Sequence, residues 1–291
     1  MAFLESLIDL LRAQPWLALV CTAVLGLIVG SFLNVVVQRL PRMLERDWQR
    51  QSREMLGLEV QEEALFNLAL PPSQCPACRH PLRVRDNLPL VGYLLLRGRC
   101  RHCHGAISPR YPLLEALTAL LGVVVVAHFG LSWQTVFALC FIWALLALAA
   151  IDLEQQLVPD TLTQPLLWLG LLLNTQHLFV SPGNAIIGSA AGYLLLWSVY
   201  WIFKLLSGRE GLGQGDLKLL AALGAWLGWQ ALPLIVLLSS LSGALTGLAL
   251  IALRGRDRHA PLPFGPFLAT AGGIALLWGQ ALSALLFGGA F

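Results

Sequence analysis

Long apolar runs separated by short polar connections dominate the chain. Eight such runs lie near residues 15–37, 112–129, 133–151, 161–180, 185–206, 217–229, 231–253 and 264–288. A bilayer core takes roughly 20 apolar residues in a helix, and lipid offers no hydrogen-bond partner to an open backbone. The pattern therefore predicts an all-α polytopic membrane protein with about eight transmembrane helices. The sixth run is the weakest of the eight, because it is short and contains Lys218.

Composition supports a membrane protein. Hydrophobic residues make up 57% of the 291 residues and charged residues only 12%, whereas soluble domains average about 25% charged residues. The net charge of +3 does not point to a nucleic-acid partner. The run from Pro15 to Val37 is long for a cleavable secretory signal and is preceded by Glu5 and Asp9, so we expect it to be a retained first span.

Basic residues predict the orientation of the chain. If eight spans leave both termini outside, all of the 19 Lys and Arg residues except Arg12 lie on or beside the inner segments 38–111, 152–160, 207–216 and 254–263. Positively charged segments are retained on the cytoplasmic side. We therefore expect the large loop and the residues near 152 and 216 to face the cytoplasm.

The loop divides the chain into three parts. These are an N-terminal segment with the first transmembrane helix (1–37), a cytoplasmic module (38–111) and a second membrane domain (112–291). The module contains two CxxC pairs, Cys75–Cys78 and Cys100–Cys103. Four thiolates suit a tetrahedral structural Zn²⁺ site, and disulfides are disfavoured in the cytoplasm. A bound metal would supply folding energy to a segment too small for a core of its own. One of the nearby histidines, His80, His102 or His104, is an alternative ligand.

Acidic residues next to apolar spans are the candidates for chemistry, because a carboxylate near lipid is costly. Asp152, Asp160 and Asp216 all lie at the expected cytoplasmic boundary, where they could meet in one site. Two adjacent carboxylates share a proton, so that one activates water and the other donates to a peptide carbonyl. Helix dipoles would favour charge on Asp216, which begins a helix, and the proton on Asp152, which ends one. The alternatives are a helix cap for Asp160 and an arginine partner for Glu115.

Several motifs now show a resemblance to a known family. The segment Gly213-Gln-Gly215-Asp216 matches the GxGD signature of intramembrane aspartic peptidases. The segments that agree further are 30–41, 86–93 between the CxxC pairs, 110–115 and 152–160. With them, residues 25–270 resemble the bacterial type IV prepilin peptidases. Arg85 and Gly92 depart from the family pattern.

The resemblance implies both an activity and its residues. Asp152 and Asp216 correspond to the family's catalytic aspartates. The implied reaction is removal of the leader of prepilins and pseudopilins after a glycine, on the cytoplasmic side of the bacterial inner membrane. The resemblance also implies N-methylation of the new N-terminal residue, usually Phe, with S-adenosylmethionine as donor and the module as the expected methyltransferase region. No motif locates the donor site.

Two other classes of function compete with a peptidase. An ion-coupled transporter could use the boundary carboxylates, although transport sites usually lie at mid-membrane. A zinc-bearing scaffold would explain the cysteines and leave the aspartates unexplained. The substrates among the prepilins, and the system that they serve, stay open.

Overall fold

The described part of the chain is mostly helical and has two isolated β-bridges in place of strands. The computed structural model describes residues 10–11, 13–59, 65–208, 211–254 and 262–288. Its helices are α1 (Pro15–Met55), α2 (Val91–Leu95), α3 (Arg110–Phe129), α4 (Trp133–Gln155), α5 (Asp160–Asn174), α6 (Pro182–Ser207), α7 (Gln214–Leu227), α8 (Leu232–Arg254) and α9 (Gly265–Phe287). The expected all-α fold class is confirmed.

Six helices are long and apolar enough to cross a membrane. They are α1, α3, α4, α6, the segment Trp229–Leu253 and the segment Gly265–Leu286. Helix α5 has 15 residues and α7 has 14, which gives each a length of about 22 Å against a bilayer core of about 30 Å. All eight apolar runs therefore form helices, but the expected count of eight spans is not confirmed. Helix α7 begins after its N-cap residue Gly213 and ends at its C-cap residue Gly228, which has a φ of +77°.

The chain forms two compact units, residues 1–135 and residues 136–291. In the first unit, α1 packs along α3. Glycines allow the two backbones to approach closely: a Cβ at Gly26 would lie 2.6 Å from the Cα of Ala119, and one at Gly30 would lie 2.6 Å from the Cα of Glu115. Such small-residue contacts are typical of packed membrane helices. Helix α1 continues through Pro41 to Met55, well beyond the expected end of the first span at residue 37.

The second unit is built around α7. Almost every side chain from Asp216 to Trp226 is buried, and α5, α6 and α9 all pack on this helix. A helix that is apolar all round is expected to be enclosed in this way. The contact with α6 is closest at Gly224, where a Cβ would lie 2.1 Å from the carbonyl oxygen of Gly188.

Buried hydrogen bonds fix the end of α7 that lies away from Asp216. The side-chain amide of Asn174 donates to the carbonyl oxygen of Ala225 at 2.8 Å, and the indole N–H of Trp226 donates to the carbonyl oxygen of Leu166 at 2.7 Å. Both bonds join α5 to α7 and satisfy polar groups that would be costly to bury alone. They hold α7 in one position along its axis, and with it the depth of Asp216.

Candidate active site and metal centre

Asp152 lies near the C-terminal end of α4 and is buried, with 4% of its surface exposed. Its Oδ2 accepts a hydrogen bond from the backbone N–H of Gly265 at 3.0 Å. Gly265 is the first residue of α9, so the N–H is one of those at a helix start that have no partner within the helix. The start of α9 therefore orients this carboxylate.

Asp216 is the third residue of α7 and is also buried, with 6% of its surface exposed. Among the described residues, its Oδ1 has no hydrogen-bond partner. The carboxylate of Asp152 is close enough for the two charges to repel. A buried acidic pair of this kind can hold one proton between its members, because two like charges in contact are costly.

Val158 brings the two aspartate segments together. A Cβ at Gly215, next to Asp216, would lie 2.6 Å from the Cβ of Val158 and 3.0 Å from its carbonyl oxygen. A Cβ at Gly265 would lie 3.2 Å from Cγ2 of the same valine. Because neither glycine has a Cβ, the starts of α7 and α9 can pack directly against Val158, in the loop that follows α4.

Asp160 takes a different role from the other two boundary aspartates. It is exposed, and its Oδ2 lies 2.5 Å from the Nζ of Lys218 on α7. No side-chain hydrogen bond caps α5, and Pro159 is its N-cap residue. The structure therefore pairs Asp160 with a lysine, and brings Asp152 and Asp216 to each other.

Glu115 lies in the first unit and is 8% exposed. Its Oε2 accepts the backbone N–H of Leu90 at 2.9 Å, and the hydroxyl of Ser31 is a second partner. The arginine partner that the sequence suggested is replaced by these neutral donors. Leu90 has a φ of +56°, a conformation that costs free energy for a branched side chain, and the bond to Glu115 helps to hold it.

The four cysteines of the CxxC pairs come together as the sequence predicts. The Sγ atoms of Cys75, Cys78, Cys100 and Cys103 all lie within 4.8 Å of one another. The sulfur atoms of Cys75 and Cys103 are 3.8 Å apart, which equals the edge of about 3.8 Å that a tetrahedron with Zn–S bonds of about 2.3 Å requires. The thiols and their spacing therefore fit a zinc ion, and the described cluster contains no histidine.

Each CxxC pair sits on the same kind of turn. The N–H of Cys75 donates to the carbonyl oxygen of His80 at 2.9 Å, and the N–H of Cys100 donates to that of Gly105 at 2.8 Å. Arg79 and His104, one after the last cysteine of each pair, both have a φ near +57°, at 57° and 56°. These repeated turns aim two thiols from each loop at one point.

The first unit also encloses a cavity of about 270 Å³ between α1, α3 and the cysteine module. Polar residues of α1 line it at helical spacing: Ser31, Asn34, Gln38 and Arg42. No sequence motif marked this group of residues as a site. The signal that could have found it is a polar stripe on a helix that is otherwise apolar.

Comparisons with known proteins assign the chain to a family. The family model of the bacterial peptidase A24 N-terminal domain matches residues 24–129, and that of the type IV leader peptidase family matches residues 139–248. The chain is 54% identical over 278 residues to the prepilin leader peptidase/N-methyltransferase of Pseudomonas aeruginosa, covering 95% of this chain and 96% of that protein. It is 54% identical over 279 residues to the protein of the same name from Aeromonas hydrophila, with the same two coverages, 95% and 96%. No solved structure matches the chain.

The chain therefore belongs to the type IV leader peptidase family, as the motifs predict, and it is an enzyme of that class. Family membership gives no support to the ion-coupled transporter. The similarity to both relatives extends over nearly the full length of each chain, and both family regions occur in this chain.

Proposed function

We propose that Asp152 and Asp216 are the catalytic pair of a membrane endopeptidase that removes the leader of type IV prepilins and pseudopilins. The observation that carries the proposal is a buried pair of carboxylates, Asp152 near the end of α4 and Asp216 at the start of α7. This pair lies in a chain whose relatives are named prepilin leader peptidase/N-methyltransferase. The GxGD segment that contains Asp216 gives independent support.

The pair can perform hydrolysis with one shared proton. The ionised carboxylate takes a proton from water, and the water oxygen attacks the carbonyl carbon of the scissile peptide bond. The protonated carboxyl donates its proton to the carbonyl oxygen. When the C–N bond breaks, the leaving amine receives the proton that was taken from water. As the carbonyl re-forms, a hydroxyl of the tetrahedral intermediate returns a proton to the carboxylate that donated one, and the pair is back in its starting state. The N–H of Gly265 holds Asp152 in place during these steps.

The substrate and the orientation follow from the same proposal. A prepilin carries a basic leader followed by an apolar helix, and the helix can stay in the bilayer while the leader junction reaches the aspartates. The placement of basic residues supports a site on the cytoplasmic side of the membrane, and the family resemblance supports cleavage after a glycine at the bacterial inner membrane. The family resemblance supports a role in type IV pilus or type II secretion systems.

The second activity that we propose is N-methylation of the new N-terminal residue, with S-adenosylmethionine as methyl donor. The names of both relatives include N-methyltransferase. When bound, the donor would supply a methyl group to the amine nitrogen, which would give up one proton. The S–C electron pair would stay on the donor's sulfur, so that a neutral thioether would remain.

We further propose that the four cysteines hold a structural Zn²⁺. The sulfur geometry supports this, and four thiolate ligands leave no open coordination position for catalysis. The ion would instead join the two CxxC turns and so fold the segment between them.

A cleavage assay tests the peptidase. The purified full-length protein in detergent is incubated with a prepilin, and leader loss is followed on a gel and by mass spectrometry. Asp152→Asn and Asp216→Asn should each lower the cleavage rate by about 10³-fold or more, because each removes one partner of the shared proton. Asp160→Asn is the matched control and should cleave at nearly the unaltered rate. Cleavage that survives in both dyad variants would refute the proposal.

A further inference from the structure

Polar, charged and aromatic side chains, as well as aliphatic ones, line the cavity of the first unit. Its volume of about 270 Å³ is close to the lower end of the roughly 300–1,000 Å³ typical of small-molecule sites. Its walls are one face of α1, the start of α3 and the two cysteine turns, and Cys75 and Cys100 themselves line it. The cavity therefore joins the metal-binding module to the helix pair.

The lining has opposite charges at its two ends. Ser31 and Arg42 both line the cavity from α1. They are eleven residues apart, which places their Cα atoms about 16 Å apart along the helix axis. Glu115 lies at the level of Ser31, to which it is hydrogen-bonded. One end thus presents a carboxylate and the other a guanidinium, which suits a ligand that carries both a positive and a negative group.

Two other charged residues at the cavity, Asp86 and Arg39, already have partners within the protein. Asp86 also lines the cavity, but Arg101 holds its carboxylate through contacts of 2.6 and 3.1 Å. Arg39 donates to the carbonyl oxygens of Asn67 and Pro71 at 3.0 and 2.6 Å. Among the described lining residues, Glu115 is thus the carboxylate with neutral partners, and a cation brought beside it would gain a charge-assisted hydrogen bond or ion contact.

The remaining lining residues suit an aromatic base and its sugar. Phe66, Tyr93 and Tyr111 contribute rings, and Asn34 and Gln38 contribute amides. Asn34 donates to the carbonyl oxygen of Tyr111 at 3.1 Å, and Gln38 donates to the hydroxyl of the same tyrosine. These bonds hold the ring of Tyr111 and the two amides in fixed positions, as binding groups require.

We propose that this cavity is the binding site of the methyl donor, with the sulfonium of S-adenosylmethionine beside Glu115 and the carboxylate of its methionine part beside Arg42. The assignment rests on the proposed methyltransferase function, and it places the donor on α1 and α3 rather than in a nucleotide-binding loop. The residues fit the donor because its one permanent cation meets the carboxylate, and its adenine meets the aromatic rings. The cavity is lined by residues of the first unit, whereas Asp152 and Asp216 belong to the second.

Equilibrium binding tests the proposal without any turnover. The zinc-loaded full-length protein in detergent is titrated with S-adenosylmethionine and with S-adenosylhomocysteine by isothermal titration calorimetry. S-adenosylhomocysteine lacks the sulfonium charge but keeps the amino acid and adenine. Glu115→Gln should weaken binding of S-adenosylmethionine by roughly tenfold or more and weaken S-adenosylhomocysteine much less, because a single charged contact is lost. Arg42→Gln should weaken both ligands by a similar factor.

The matched control is Glu45→Gln, the same change at an exposed position of α1 that does not line the cavity. It should bind both ligands as the unaltered protein does. Zinc content and the thermal unfolding midpoint confirm that each variant is folded. Binding of both ligands by Glu115→Gln and Arg42→Gln at the level of the control would overturn the assignment. Failure of the unaltered protein to bind either ligand would instead contradict the proposed methyltransferase function itself.

Discussion

The backbone N–H of Gly265 lies 3.0 Å from Oδ2 of Asp152, although 113 residues separate them in the chain. The bond ties the start of α9 to the end of α4. It also places a hydrogen-bond donor on a carboxylate that the helix dipole alone would leave protonated. A donor stabilises the charged form of an acid, so this contact opposes the assignment of the shared proton to Asp152 that helix position suggested.

Gly265→Ala should impair cleavage without unfolding the protein. A Cβ at this position would lie 2.6 Å from Oδ2 of Asp152, so the carboxylate has to move. Because a displacement of about 1 Å at a catalytic group can cost about 10²-fold in rate, we expect kcat for leader removal to fall by roughly 10- to 100-fold. Initial cleavage rates over a range of prepilin concentrations would measure it.

The control for this change is Gly279→Ala on the same helix, where the new Cβ would meet its nearest neighbour, the Cβ of Ala275, at 3.8 Å. That contact is ordinary, so the control should cleave at close to the unaltered rate. Equal rates for the two alanine variants would show that Gly265 does not position Asp152.

The two glycines of the GxGD segment should differ in their tolerance of alanine. A Cβ at Gly215 would lie 2.6 Å from the Cβ of Val158, whereas a Cβ at Gly213 would come no closer than 3.4 Å, to Oδ2 of Asp216. Gly213 also has an ordinary extended backbone, with φ −72° and ψ 140°. We expect Gly215→Ala to lower the cleavage rate by about tenfold or more, and Gly213→Ala by less than about threefold.

The same cleavage assay compares the two variants side by side, with thermal unfolding to verify that both are folded. A Gly213→Ala enzyme that is the weaker of the two would mean that Val158 is not the surface that sets the position of Asp216.

The sequence could predict the acidic pair, but not the backbone hydrogen bond that positions Asp152. Asp152 and Asp216 are charged residues beside apolar runs, so their cost near lipid marks them. The GxGD motif then selects Asp216, and the family resemblance of the segment 152–160 selects Asp152. Gly265 carries no side chain, and its role rests on a backbone N–H that only the packing of α9 brings to Asp152. Asp160 has the same sequence signal as the pair, but folding places it against Lys218.

The fold shows a similar division. Apolar runs predicted every long helix, because hydrophobicity alone determines which segments can be surrounded by lipid or by other helices. Their lengths were predicted less well. The fourth run was expected to reach residue 180, but α5 ends at Asn174, whose side chain accepts the N–H groups of Phe179 and Val180 and turns the chain. The segment that continues α1 to Met55 is mostly polar, and its few apolar residues, such as Met43 and Trp48, do not form an apolar run.

The ion pair of Asp160 and Lys218 should contribute little to stability. Their side chains are 55% and 30% exposed, and an exposed pair contributes about 0–1 kcal/mol. Asp160→Asn and Lys218→Met should therefore each lower the free energy of unfolding by less than about 1 kcal/mol, with the double variant no worse than the sum of the two. A larger coupling energy in this double-mutant cycle would assign the pair a structural role at the start of α5.

The ion pair of Asp86 and Arg101 offers a pH test within the cysteine module. The Arg101 guanidinium, hydrogen-bonded to Asp86, lowers the pKa of that carboxyl from its ordinary value of 3.8. A carboxyl with a depressed pKa in the folded state stabilises that state above its unfolded pKa, and the contribution is lost as the pH falls through the folded pKa.

Asp86→Asn should therefore lower the thermal midpoint by the same amount at every pH between about 5.5 and 8, since the pair stays ionised throughout this window. Because the side chain of Arg101 is 47% exposed, solvent screening should keep the loss below about 1 kcal/mol. Calorimetric scans of both proteins at several pH values measure the difference, and a difference that shrinks towards pH 5.5 would contradict the depressed pKa.

The six cysteines of the chain allow a test of the metal centre with internal controls. Cys75→Ser, Cys78→Ser, Cys100→Ser and Cys103→Ser should each reduce bound zinc from one ion per chain towards none, because a hydroxyl cannot replace a thiolate in the closed tetrahedral site. Cys21→Ser and Cys140→Ser lie outside the cluster and should keep a full equivalent of zinc by mass spectrometry of the metal. The loss should extend beyond the ion, since Cys75 and Cys100 also line the cavity of the first unit, and the same variants should bind S-adenosylhomocysteine more weakly. Stoichiometric zinc in any single variant of the four would remove that cysteine from the ligand set.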